Sequence, residues 1–518
     1  MKNKYLNLFL VFTASLFNAQ TNFLDTSFNG TGMFFLDTVF NAPNNSTELI
    51  YDILEQPDNK TVYLGKSYSS SGFFEPIHCT VFRLNSDGTL DSSFGAAGVF
   101  RYSTDSENHN LFLTASKMVL LQDGSILIAG YGRDFTGLSA DIILMKITKS
   151  GILDTSFGQN GIAKFSIGGS SNKSVSNLLV YGEKIYIAGR IDADSYIISS
   201  NMDGTYNTDF NNDGRYILDV GGKTNTIDQL LIVNNIIYAF GNSQASSTSV
   251  YTTCISALNI DGSIAAFGID GSSEFLNTSS NPSVLKVIPK ENGKMLLIVG
   301  GDFYMINRYG NPDTTFGNQG KIVNPHNQSF TSCAVASDNG FYFSKFKYLQ
   351  TTTQMVFYTV KINAEFGKST NFGSGGEITT NVSYPKYSEQ IPSKLLSSAD
   401  GKLVVAGTVT RYPNPNVPSI KNQDYVVLRY GDPSVLSANN DNSKSEISIY
   451  PNPAKNIISI RSKDKILKIV LFDATGKLLK SFTGSETKQI NVANMTRGNY
   501  ILKIYTKDKV TTQKIIKE

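Results

Sequence analysis

A short loop pattern is written seven times before residue 377, and it constrains the fold more than any other feature of the chain. The copies are LDTSFNGTG (from Leu24), LDSSFGAAG (Leu90), LDTSFGQNG (Leu153), NTDFNNDG (Asn207), AAFGIDG (Ala265), PDTTFGNQG (Pro312) and STNFGSGG (Ser369). Each places a Phe four residues before a Gly: Phe28/Gly32, Phe94/Gly98, Phe157/Gly161, Phe210/Gly214, Phe267/Gly271, Phe316/Gly320 and Phe372/Gly376. Consecutive Phe are 66, 63, 53, 57, 49 and 56 residues apart, too regular a recurrence for chance.

Between the loops the units share a plan. A short strand follows the Gly (GVFRYS, GIAKFSI, GRYILDV), then a hairpin (MVLLQDGSILIAG, NLLVYGEKIYIAG, LLIVNNIIYAFG, KLLSSADGKLVVAG), then a fourth apolar strand (TVFRLN, DIILMKI, YIISSN, YVVLRY). Four short strands per period with Gly- and Asn-containing turns describe a propeller blade. Such a small sheet is apolar on both faces and must stack between neighbours, and ring closure leaves no unpaired end. Seven units predict an all-β, seven-bladed β-propeller over residues 22–431. The lone strand after Gly32 and the three-strand group from Lys394 to Tyr430 are expected to join into one mixed blade that fastens the ring.

Composition agrees. Tyr (26), Phe (32) and Gly (43) are plentiful while charged residues make only 17%, as short strands and tight turns require. The loop Phe reads as a plug between adjacent blades rather than as a ligand contact. Its Gly supplies a turn conformation that other residues resist. Asp25, Asp91, Asp154 and Asp313, each three residues before the Phe, read as turn caps, because a catalytic pair would not need copying around a ring. At that position the other copies carry Asn207, Ile264 and Ser369.

The loops and the hairpin ADGKLVVAG resemble the delta-60 repeat family, with signatures L-D-x-S-F-G-x-x-G and D-G-K-I-x-V-A-G. The resemblance covers about residues 22–431 and implies a propeller, without an agreed activity.

Residues 432–446 are polar and aperiodic, an exposed linker. Beyond it, Ile447–Tyr450, Ile457–Arg461, Ile466–Phe472, Lys477–Phe482, Gln489–Val492, Asn499–Thr506 and Val510–Ile516 alternate in polarity and predict a small seven-stranded, immunoglobulin-like β-sandwich over 447–518. This segment holds 14 Lys and Arg against 5 Asp and Glu, leaving 32 against 38 elsewhere. Its lysines are spread along strands, so a solvated face is expected and no nucleic-acid partner. Tyr450-Pro451-Asn452-Pro453, VLFDATGKLL with Gly476, RGNYILKI with Gly498 and Tyr500, and the closing KIIKE resemble the type A sorting domain of the type IX secretion system of Bacteroidetes. That resemblance implies recognition by the secretion machinery, passage through the outer membrane, removal of the domain and attachment to surface lipopolysaccharide.

Residues 1–19 read as a signal peptide. Lys2 and Lys4 precede an apolar run from Tyr5 to Phe17 that is too short to span a bilayer, with cleavage expected after Ala19. No later stretch is long enough for a transmembrane helix. Cys79, Cys254 and Cys333 are odd in number and far apart, and read as buried free thiols. His78, His109 and His326 form no metal-binding spacing, and nucleophile, P-loop and dinucleotide motifs are missing. No cofactor is expected. Asp209-x-Asn211-x-Asp213-Gly214 begins like a calcium loop, but Val220 stands where the bidentate Glu belongs, so a plain turn is favoured over calcium.

These readings favour a non-enzymatic, exported propeller, on the cell surface or released, that binds an unknown ligand by its loops or central channel. The alternatives are a secreted glycan- or peptide-cleaving enzyme with acids converging at the axis, and a structural adhesion component. Inward-facing acids clustered at one channel mouth would favour the enzyme; neutral amides and aromatics would favour binding. No catalytic residue is assigned.

Overall fold

The computed structural model describes residues 23–38, 46–69, 77–102, 112–133, 140–168, 172–219, 222–245, 250–278, 283–350, 354–382, 387–411, 421–431, 447–450, 454–462, 465–473, 478–483, 488–506 and 510–517. The signal peptide, the linker, His109, Pro451, Asn452, Pro453 and Gly476 lie outside them. The chain divides into two compact units, Met1–Leu436 and Ser437–Glu518.

Among the described residues of the first unit the strands form five separate four-stranded antiparallel sheets and one eight-stranded sheet. The larger sheet resolves into two further groups of four, joined by a single parallel pair, Ser46 with Asn422. The innermost strands are Ser46–Glu55, Phe112–Leu120, Lys173–Tyr181, Thr224–Val233, Val284–Pro289, Ser332–Val335 and Tyr387–Ser397, here taken as blades one to seven. Each lies against the next, and the last against the first. The seventh blade is mixed, as expected: Leu403–Arg411 and Asn422–Tyr430 follow its inner strand, and Met33–Leu36 from the other end of the chain adds the outer one.

Apolar side chains fill the spaces between blades rather than one centre. Phe94 sits among Val62, Val81, Leu113 and Met145 of blades one and two, and Phe157 and Phe210 occupy the next two junctions. Phe28, Phe267 and Phe372 are likewise buried. Phe316 departs from the expected plug: it is only half-buried, and its ring meets Phe366 at 5.3 Å.

The loop glycines share one conformation. Gly32, Gly98, Gly161, Gly214, Gly271, Gly320 and Gly376 all lie at φ between 77° and 98°, the left-handed region. Six of the carbonyls accept from the backbone of the preceding strand, as Gly98 does from Arg83, Gly320 from Met305 and Gly376 from Lys361, and that of Gly32 accepts from Arg429 of the last strand. Space is not equally tight at all of them. A Cβ would fall 2.4–2.8 Å from a side chain of the same loop at Gly32, Gly98, Gly161, Gly214 and Gly271, but 3.0 Å from Pro312 at Gly320 and 3.4 Å from Ser369 at Gly376. The two departures have one cause: where Leu24, Leu90 and Leu153 crowd their glycines, these loops carry Pro312 and Lys368 instead. At Gly376 the need for glycine therefore rests mainly on φ, and at Gly320 the contact with Pro312 adds to it.

A second glycine class, Gly65, Gly130, Gly189, Gly241 and Gly407, ends the hairpin motif opposite the inner strand. A Cβ there would lie 1.8–2.7 Å from a backbone oxygen of that strand. The close approach accompanies a β-bulge: in six inner strands the register slips by one residue, at Tyr51, Ser116, Ser176, Asp228, Leu285 and Ser393.

The second unit has two sheets, of three and four strands, in seven segments close to those expected. Its core includes Ile458, Ile469, Leu471, Phe482, Leu502 and Ile504. Tyr500 is buried and donates its hydroxyl to Thr496 O at 2.7 Å, beside Gly498. Tyr450 is exposed under Arg461, and Lys468, Lys480, Lys488 and Lys503 are exposed as well.

Candidate functional site: the axial cavity

Three places in the first unit gather chemistry: the repeated loops, the closing blade and the axis. In the loops, the first carboxylate oxygen of Asp25, Asp91, Asp154 and Asp313 accepts from the backbone and hydroxyl of the residue two further on, Ser27, Ser93, Ser156 and Thr315. The second oxygen takes a cation. Lys402 reaches Asp25 at 3.0 Å, Lys60 reaches Asp91 at 2.8 Å, Lys146 reaches Asp154 at 3.0 Å and Lys294 reaches Asp313 at 2.5 Å.

Two arginines complete the pattern. Arg83 pairs with Asp91, stacks 4.6 Å from the Phe94 ring and donates to Lys149 O in the next blade. Arg429 pairs with Asp25, stacks 4.5 Å from Phe28 and donates to Ser86 O. Burial pushes the Asp25 carboxyl up, but Ser27, Lys402 and Arg429 outweigh it and hold it at about 2. These aspartates are blade fasteners, neutralised where they stand.

Where the Asp is lost, its partner changes too. Asn207 faces Ser199, and Lys361 turns from Ser369 to Asp338 at 2.6 Å. In the fifth copy, counting back from Phe267 picks Ile264, but the backbone bond equivalent to that of Asp91 is made by Ala265, to Ala257 O, because this loop is one residue shorter. The calcium-like loop does not gather its ligands: Arg215 occupies Asp213 at 2.9 Å, Asn211 donates its amide to Arg215 O, and Asp209 is exposed.

The closing blade holds a carboxylate cluster that no motif announced. Glu48 of blade one lies with Asp37, just past the N-terminal strand, and Asp424 of blade seven, their oxygens within 4.8 Å of one another. Arg411 pairs with Asp37 at 3.0 Å and Asp424 at 3.2 Å. Thr38 donates its amide and hydroxyl to Glu48 Oε1 at 2.6 and 2.5 Å. Burial first, and then the charges of Asp37 and Asp424, lift the Glu48 carboxyl to about 8 against those two bonds.

A group bound to a proton in the folded state beyond its ordinary range adds stability that is complete at low pH and fades as pH climbs to its folded value. For Glu48 that window runs from about 4.5 to about 8. Glu48→Gln, which keeps a neutral group in place, is therefore expected to melt close to the wild type at pH 5. At pH 9 it should melt higher, by an amount reflecting a few kcal/mol. Melting curves at the two pH values check this, and a difference that does not grow with pH rejects it.

The axis is lined by the inner strands. The residue just past each bulge is Asp52, Lys117, Asn177, Gln229, Lys286 or Lys394, and Ser332 holds the corresponding register in blade six. Bulges re-aim side chains in this way. Together with Ser176, Asp228 and Cys333, most of these residues line a cavity of about 610 Å³. Cys79 and Cys254 are buried, whereas Cys333 is only partly so; all three thiols are free.

Four of the polar groups here tie one blade to the next. Asp52 Oδ2 accepts from Met118 N at 2.9 Å, Asn177 Oδ1 from Leu230 N at 3.1 Å and Asp228 Oδ2 from Val284 N at 2.8 Å, while Gln229 Nε2 donates to Leu285 O at 3.2 Å. Burial raises the Asp228 carboxyl to about 6, against its bond from Val284 and the charge of Lys117. Sequence reasoning missed this ring. Its only trace is a position counted back across the hairpin from the glycines that face the bulges.

The comparisons with known proteins bear on both units. The family described as "Secretion system C-terminal sorting domain" matches residues 448–518. "Domain of unknown function (DUF5122) beta-propeller" matches residues 56–94 and 121–157. No curated protein matches the chain. Among solved structures, the β-propeller domain of the Trilobed protease from Pyrococcus furiosus is 9% identical, with 74% of this chain and 97% of that one covered and a TM-score of 0.39. PorZ, a surface component of the type IX secretion system of Porphyromonas gingivalis, is 10% identical over 90% and 81%, with a TM-score of 0.28. A Penicillium chrysogenum α-L-arabinanase is 12% identical over 64% and 97%, with a TM-score of 0.37. Among the described residues no helix is long and apolar enough to cross a membrane.

Proposed function

From the premise that the chain is a β-propeller carrying a C-terminal sorting domain of the type IX secretion system, we propose that it is a non-enzymatic binding protein of the cell surface or medium whose ligand enters the axial cavity. The sorting domain is removed during export, and the propeller is then held by surface lipopolysaccharide or released. An N-terminal signal peptide cleaved after Ala19 starts the route.

The observation that carries the binding reading is the state of the two axial acids. A hydrolase needs carboxyl groups free to give and take a proton. Asp52 and Asp228 instead accept from backbone amides of the neighbouring blade, and the other polar side chains of the lining are amines, an amide, hydroxyls and the Cys333 thiol. One observation favours the rival reading: the Asp228 carboxyl, at about 6, lies in the range of a general acid. The test is product analysis of the purified chain with polysaccharides and peptides. No new reducing ends or amino termini are expected, and turnover abolished by Asp52→Asn or Asp228→Asn would make it a hydrolase.

A further inference from the structure

The amines are the axial polar groups for which the ring has no structural use. At the position past the bulge, Asp52, Asn177 and Gln229 each bond across to the next blade. Lys117, Lys286 and Lys394 hold the same position in blades two, five and seven, yet among the described residues their amines make no hydrogen bond and no ion pair within 4.0 Å. Asp52 and Asp228, the carboxylates lining the same cavity, are engaged by Ile53 N and Met118 N, and by Val284 N and Asn242 Nδ2. Three cations thus share a cavity with two anions that are already solvated by amides.

We infer that the axial cavity binds a small anion, or the anionic group of a larger molecule, of the carboxylate, sulfate or phosphate kind, through Lys117, Lys286 and Lys394. This rests on the binding reading above and names its ligand chemistry. Lys394 is half-buried, and both burial and the charge of Lys117 push its amine down to about 8, with Asp52 opposing. An anion between the two lysines relieves that repulsion, whereas a cation would add to it and a neutral ligand would leave the amines unmatched. Gln229 and the Ser176 hydroxyl lie in the same lining and supply neutral polar groups for the remainder of a ligand. The volume, about 610 Å³, is that of an ordinary small-molecule site.

The test uses the full chain and an amine-acetylating reagent, with rates at each lysine read by mass spectrometry. Inorganic phosphate, sulfate, D-glucuronate and D-glucose are compared with chloride at equal ionic strength. At an anion concentration about ten times its dissociation constant, acetylation of Lys117, Lys286 and Lys394 is expected to slow about tenfold, while exposed Lys468 and Lys503 are unaffected. The same anions should raise the melting temperature of the wild type but not of the Lys117→Gln/Lys286→Gln/Lys394→Gln variant. The melting temperatures of wild type and variant in chloride give the baselines from which each rise is read. The anion-dependent rise should shrink as pH passes about 8 and Lys394 discharges.

A preference for glucuronate over phosphate and sulfate assigns the anion to an acidic saccharide, and the reverse to a phosphorylated or sulfated molecule. Equal protection of all lysines, no protection, or a melting shift that survives in the triple variant would overturn the inference. Protection by D-glucose alone would reject the anion while leaving a binding cavity. Turnover of a substrate would reject the binding reading and leave the protection data standing.

Discussion

Phe94→Ala is expected to destabilise the propeller by about 3–5 kcal/mol, the cost of emptying a fully packed aromatic site. Phe94 is wholly buried between blades one and two. Its ring lies under the Arg83 guanidinium. Gly151 of blade two comes so near that a Cβ there would sit 2.9 Å from the ring. A cavity here cannot collapse easily, because hydrogen bonds hold both walls: Gly95 N to Ser150 O at 2.7 Å and Arg83 to Lys149 O at 2.8 Å. Phe316 provides the contrast. It is half-buried, so Phe316→Ala should cost less, about 1–2 kcal/mol. Thermal and denaturant melts of the two variants give the comparison. Equal, small losses would show that the loop Phe is not an inter-blade plug.

The second large effect concerns export. Deleting residues 447–518 is expected to abolish surface delivery while the propeller keeps its melting temperature. The bonds that close the ring all lie within the first unit: Met33–Leu36 pairs with Tyr425–Leu428, Asp25 N donates to Arg429 O at 2.8 Å, and Arg429 N to Gly32 O at 2.9 Å. The deleted segment has its own core of Ile458, Leu471, Leu502 and their neighbours, and separate cores fold separately. The truncated chain should accumulate in the periplasm, since only the sorting domain addresses the outer membrane step. Cell fractionation with melting curves of both forms decides it. Surface delivery of the truncated chain would remove the sorting role, and a large fall in melting temperature would make the sandwich part of the structural core.

What could be read from the sequence and what could not divides on chemical grounds. The Phe and Gly of each loop were legible because one steric problem, filling a wedge between blades and turning back at positive φ, has one cheap answer at nearly every junction. The exceptions fall late in the ring, where Phe316 is half-buried and the neighbours of Gly320 and Gly376 stand further off than at the other loops; a motif shows which residue type recurs, not how closely its neighbours pack. The hairpin lysine Lys402 stands in the motif, but its reach to Asp25 in the loop needs the folded blade. The shorter fifth loop misled counting, since register follows the hydrogen bond of Ala265 rather than distance from Phe267.

The axial ring was illegible for another reason. Its position is fixed by bulge and register, while no one residue type marks it: Asp52, Asn177, Gln229 and Ser332 stand beside Lys117, Lys286 and Lys394. The cluster of Asp37, Glu48 and Asp424 was hidden because its members come from opposite ends of the propeller segment and meet only when the ring closes.

The proposed role is that of an exported ring that binds through its axis without changing what it binds. Ser176 lines the cavity, so Ser176→Trp fills it from the wall. The measurement is retention of soluble glycans and peptides by the purified full chain and by this variant, with product analysis of the bound fraction. Saturable retention by the wild type, lost in a Ser176→Trp protein that melts normally, with every bound chain recovered intact, is the predicted result. Retention unchanged by the block, or bound chains recovered as cleaved fragments, would contradict it.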